Sequence, residues 1–162
     1  MRSFMLSRGF ILPVMVVGII PLVLGLRTRA WEKWTLASLL LGMPFFCIGL
    51  ELLRVTTQLF DRNNGSLAPW NPPTEMVVEG PYRYTRNPMI GGIFAMVLGE
   101  ALALRSRSIG GWLCLFVLAQ NIYIRVDEEP KLRERFGAPY EEYERSVPRW
   151  FAWGWARQRS RT

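Results

Sequence analysis

The chain has 162 residues, room for one domain. Half of it is hydrophobic and 13% is aromatic, which excludes a disordered or collagen-like chain. With 20 Lys+Arg against 13 Asp+Glu the net charge is +7, and there is no histidine. A histidine general base, a Ser-His-Asp triad and a histidine-ligated metal are therefore excluded, and no metal site is expected. A basic balance suits nucleic acid or anionic lipid. The apolar runs decide for membrane lipid, so no nucleic-acid partner is expected. Cys47 and Cys114 both fall in apolar runs and read as buried thiols.

In chain order, residues 9–26 are an apolar run without a charge, preceded by Arg2 and Arg8. A signal peptide is the alternative, but no small-x-small cleavage site precedes Arg27 and Arg29, so the run reads as a retained span. Residues 34–54 form a second run, with Glu51 inside it. A third, 89–104, contains Glu100, and a fourth occupies 109–126. A span needs about 20 apolar residues. The first two qualify, and the last two lengthen with their flanks, joined by a tight turn over 105–108.

Between the second and third runs lies a cytoplasmic loop, 61–88. Pro69, Pro72, Pro73, Pro81 and Pro88 prevent one long helix there. Trp70, Met76, Val77, Val78, Tyr82 and Tyr84 suit an ordered functional loop better than a linker. After the fourth run, Asn121, Arg125 and Glu128 are spaced to share a helix face, with Glu129 one position round. Pro130 is expected to break or kink the helix there. The tail 127–162 then reads as short interfacial helices, over 131–136 and 139–147, with Trp150, Trp153 and Trp155 at headgroup level.

These elements predict an all-α fold, an integral membrane bundle of about four transmembrane helices with short C-terminal interfacial helices, as a single domain over 1–162. Fifteen of the 20 basic residues fall on one side, and Arg27, Arg29, Lys33, Arg105 and Arg107 on the other. The richer side is the cytoplasmic one, which places both termini and the 61–88 loop there.

Glu51 and Glu100 are costly in lipid, so each should sit near a helix end or face the interior. Gly92, Ala95, Gly99 and Ala103 form a ridge of small residues. It allows close helix packing, or space for a flat ligand.

The stretch GPYRYTRNPMIGG over 80–92, followed by EEPKLRERFGAPYEEYERSVPRW over 128–150, resembles the isoprenylcysteine carboxyl methyltransferase family. That family is itself similar to membrane phospholipid methyltransferases. Gly80, Pro81, Tyr82, Arg83, Arg86, Pro88 and Gly92 match its first block. Glu128, Glu129, Leu132, Phe136, Gly137, Tyr140, Tyr143, Val147, Pro148 and Arg149 match its second. Asn87 stands where the family usually has histidine, and Ile90 where it usually has tyrosine. The preceding LAPWNPPTEMVVEG looks like that of short bacterial members, which implies a bacterial inner membrane.

The resemblance implies an S-adenosylmethionine-dependent methyltransferase acting on a small or lipid-like acceptor, with its active site cytoplasmic. The cofactor pocket is expected at Tyr84, Arg86, Asn87, Pro88, Met89, Gly92, Gly99, Glu128 and Glu129. Arg125, Glu129 and Glu100 are the candidate catalytic residues. A carboxylate acceptor needs no base, so a histidine-free site suits it. Two other readings stay open: an NADPH-dependent membrane reductase of sterol-reductase type, and a non-catalytic membrane protein with a vestigial pocket.

Overall fold

The computed structural model describes residues 13–62, 76 and 78–151, and these are helical, without a strand among them. Helix α1 spans Val14–Arg27, α2 Leu36–Arg62, α3 Pro88–Ala103 and α4 Arg107–Tyr123. A wide turn, Ile124–Glu128, carries α4 without a break into α5, Glu129–Phe136, and α6 covers Ala138–Ser146. Short 3-10 turns at Ala30–Glu32 and Gly80–Arg83 precede α2 and α3. The helices match the four apolar runs and the two short C-terminal helices of the sequence. Residues 1–12, half of the 61–88 loop with Trp70 and Val77, and Trp153 and Trp155 lie outside the described residues.

Among the described residues two helices are long and apolar enough to cross a bilayer, Leu36–Arg62 with 27 residues and the continuous Arg107–Phe136 with 30. Their large side chains are left uncovered by protein. Leu40 and Ile48 on α2 are 66% and 57% exposed, and Leu118 and Ile122 on α4 are 60% and 56%. Apolar surface on this scale needs lipid against it. Cys47 and Cys114 are exposed with these faces, not buried. Helix α3 has 16 residues, about 24 Å of rise, short of the ~30 Å hydrocarbon core.

Helices α2 and α3 form the tightest pair, and glycine is the reason. A Cβ on Gly92 would lie 2.9 Å from the Gly49 carbonyl oxygen, and one on Gly99 2.7 Å from that of Gly42. The Ser38 hydroxyl donates to the Ala103 carbonyl at 2.9 Å at the same seam. The small-residue ridge is thus spent on helix packing. On the side where a Cβ would stand, Gly92 and Gly99 are filled by α2. The core beside this seam consists of Val16, Val17, Leu53, Ile93, Met96, Val97, Ile109 and Phe116.

Both wide helical turns stand two residues before a proline. In Val14–Ile19 the Ile20 N–H reaches back five residues to Met15, and Pro21 follows. In Ile124–Glu128 the Glu129 N–H reaches Ile124, and Pro130 follows. Proline has no N–H and its ring crowds the carbonyl four residues back. Widening the preceding turn relieves that crowding without ending the helix. Pro130 therefore does not break the chain as expected. The carbonyl of Val16, five residues before Pro21, instead accepts from Trp112 Nε1 at 3.2 Å, which ties α1 to α4.

Candidate active site

The matched sequence blocks meet at one end of the bundle. Tyr82 is buried against Phe60, ring centroids 5.9 Å apart, and its carbonyl accepts from the Tyr143 hydroxyl at 2.8 Å. Burial first, then the Tyr143 phenol and the Glu128 carboxylate, push the Tyr82 hydroxyl above its ordinary range, so it stays protonated. Gly137, at φ +60°, lets the chain reverse between α5 and α6. That reversal folds Tyr140, Tyr143 and Val147 back over Leu132, Phe136 and Met76.

The turn before α3 is stitched to the segment after α6. The Arg86 N–H donates to the Pro148 carbonyl at 2.9 Å. Buried Thr85 donates its hydroxyl to the Arg149 carbonyl at 2.9 Å, and Asn87 Nδ2 donates to the same oxygen at 3.2 Å. An amide thus supplies a donor where the family usually has an imidazole. Trp150 Nε1 donates to Asn121 Oδ1 at 2.9 Å, and its ring packs on Phe94 at 5.2 Å. Trp150 is half-buried, held by residues of α3 and α4.

Glu129 organises this end. Its side chain is 4% exposed. It accepts two bonds of 2.7 Å from Arg149 Nε and Nη2 and a third, of 3.0 Å, from Arg86 Nη1. Arg86 also donates to Glu144 at 3.0 Å, and Glu144 takes a bidentate pair from Arg133 at 2.9 and 2.8 Å. The hydrogen bonds from Arg133 and Arg86 hold the Glu144 carboxyl below its ordinary range, against the opposing effect of burial. Two carboxylates and three guanidiniums share one net positive charge. Arg86 Nε is buried with no hydrogen-bond partner among the described residues.

The acid pair is thereby divided. Glu128 is half-buried and makes no hydrogen bond or ion pair with the described residues, whereas Glu129 is filled. Tyr84 and Arg125 are exposed, Arg86, Asn87, Met89 and Glu128 half-buried, and Pro88 buried. The expected Asn121–Arg125–Glu128 face is displaced, because the wide turn adds residues to one turn of helix. Asn121 and Glu129 hold the C-terminal segment instead, and Arg125 is exposed. Glu100 does not join Glu129. It lies 13 positions after Asn87, about 20 Å along α3, half-buried with Oε2 unpartnered.

Sequence reasoning matched Arg149 to the family but gave it no role, and left out Thr85, Arg133 and Glu144. A buried carboxylate must be paired, so Glu129 signalled that cations were needed, and the V-P-R segment supplied one.

Residues 37–139 match the phospholipid methyltransferase family, and the chain belongs to that family. It is related to the isoprenylcysteine carboxyl methyltransferases that the two blocks resemble. No curated protein and no solved structure matches the chain.

Proposed function

We propose that this protein is an S-adenosylmethionine-dependent methyltransferase of the membrane, acting on a lipid-like acceptor at the end of the bundle built on Thr85–Asn87 and Glu129. The single observation that carries this reading is the family match over 37–139, which includes the Gly80–Gly92 block and reaches through Glu129. It supports methyl transfer over NADPH-dependent reduction.

The residues at this end fit the cofactor's polar groups. An unpaired carboxylate at Glu128 suits an amino group or ribose hydroxyls. The exposed Arg125 guanidinium and the orphaned Arg86 Nε suit a carboxylate. When bound, S-adenosylmethionine supplies a methyl group on a sulfonium that leaves as a neutral thioether. Glu129 acts one layer behind, as a positioning residue. Through Arg149 and Arg86 it fixes the turn that presents Asn87 and Pro88 at the start of α3. Holding reactants in line is the main contribution a protein makes to such a transfer.

An acceptor that is already a carboxylate needs no base. A headgroup amine would have to lose a proton, and Glu128, half-buried and unpaired among the described residues, is a carboxylate at this end that could take it. The chain has no histidine, which favours the carboxylate. The acceptor arrives from the bilayer, along the uncovered apolar faces of α2 and α4.

Calorimetric titration of the detergent-purified protein with S-adenosylmethionine and with NADPH tests the cofactor. Binding of the first alone is expected, and binding of NADPH alone would overturn the reading. Transfer of labelled methyl into a membrane lipid extract then tests activity. Mild base should release the label as methanol from an ester. Label retained on an amine would overturn the carboxylate acceptor, and label that never leaves the cofactor would show a vestigial pocket.

A further inference from the structure

The opposite end of the bundle holds a cavity of about 670 Å3 between the α1–α2 connection and the α3–α4 turn. Lys33, Arg105 and Arg107 are on its wall with Thr28, Thr35 and Ser108. Its one lining acid, Glu32, lies 4.0 Å from Arg29 outside the cavity. No ion pair with a described residue engages Lys33, Arg105 or Arg107. A second hollow of about 440 Å3 shares Thr35 and Arg105 and continues over Ala37, Leu41, Ala101 and Leu102. A basic chamber therefore opens into an apolar groove on the flank of α2 and α3.

Arg105 holds a left-handed backbone, φ +49°, where it closes α3, its N–H on the Leu102 carbonyl and the Ser106 N–H on that of Ala101. Helix α4 begins with Arg107 and has no acid in its first turn, although the helix dipole favours acids there. This end also carries bases on the side where the charge distribution disfavours them.

We propose that this basic chamber and its apolar groove bind an anionic phospholipid, with the phosphate among Lys33, Arg105 and Arg107 and an acyl chain along Leu41, Ala101 and Leu102. The charge of the wall selects an anionic headgroup, and the adjoining groove selects a lipid over a free anion. The site stands a helix length away from Glu129 and is separate from the methyl-transfer end. It does not depend on which acceptor that end takes.

Native mass spectrometry of the full chain in detergent tests the site, with dihexanoyl phosphatidylglycerol, dihexanoyl phosphatidylcholine and inorganic phosphate as probes. The phosphatidylglycerol adduct is expected to dominate. Lys33→Gln with Arg105→Asn should weaken it about fivefold for each charge removed. Asparagine tolerates the left-handed backbone. If that pair of changes impairs folding, Arg107→Gln alone, on an exposed side chain, should give about a fivefold loss. Arg145→Gln, at the other end, should leave the adduct unchanged. Equal binding of phosphatidylcholine, equal binding of free phosphate, or retention of the adduct by the folded variants would overturn the proposal.

Discussion

Glu129 is a buried carboxylate whose charge is matched by Arg149 and Arg86, and Arg86 in turn leans on Glu144. Glu129→Gln removes the charge and leaves guanidinium groups buried with too little compensation. Breaking such a pair costs about 3–5 kcal/mol, so thermal unfolding in detergent should shift down sharply. Glu128→Gln touches no such network. It should leave the unfolding temperature near that of the parent while weakening S-adenosylmethionine binding in the titration. Equal destabilisation by both changes would contradict the division of the acid pair. Glu144 adds a pH dependence. Its carboxyl is held below the ordinary value of 4.5 in the folded protein. The stability it contributes is complete above that value and is lost as pH falls through the lower, folded one. Unfolding temperature should therefore drop on acidification below about pH 4.5, and Glu144→Gln should flatten that drop.

At the scale of helices, glycine separates contact from exposure. Gly42 and Gly49 on α2 face the α3 backbone, and a Cβ on either would collide with a carbonyl oxygen. Gly110 and Gly111 on α4 have nothing within 4 Å. Gly49→Ala should push α2 from α3 and lower the unfolding temperature, the usual result of overpacking by about 1–3 kcal/mol. Gly111→Ala should raise it slightly, by up to about 1 kcal/mol, because alanine is the better helix former. A destabilised Gly111→Ala protein would show that α4 packs there against something other than the described residues. The two prolines teach a related lesson. Pro130 was legible as an interruption and Pro21 was not, and whether a helix breaks or widens depends on what donates to the freed carbonyl and what holds the far side. Trp112 does the first at Val16, and Arg149 does the second at Glu129.

For the whole molecule, the lopsided distribution of basic residues and the two ends of α3 and α4 make a topological prediction. Residue 107 and residue 145 should label from opposite sides of the membrane when each is the sole cysteine. Cys47 and Cys114 are exposed and must be replaced first. Labelling of both positions from the same side would overturn the proposed orientation. The methyl-transfer end and the basic chamber would then face one compartment, which α3 and α4, each running from one to the other, do not allow.

The sequence by itself determined the helical class, the four apolar segments, the α3–α4 turn and the family, because hydropathy and motif spacing are local properties of the chain. It also marked Glu129 and Arg86 as members of one pocket, though not as partners, and matched Arg149 to the family without a role. Only the tertiary structure decided that Gly92 and Gly99 pack closely on α2, since a small residue permits close packing without requiring it. It separated Glu100 from Glu129 by the length of α3, which residue type alone does not reveal. It filled Glu129 and left Glu128 free, a choice made by one wide turn before Pro130 that rotates the second acid toward Arg149. Adjacent residues of the same chemistry differ only in direction, and direction is set by the helix register and by what packs against it.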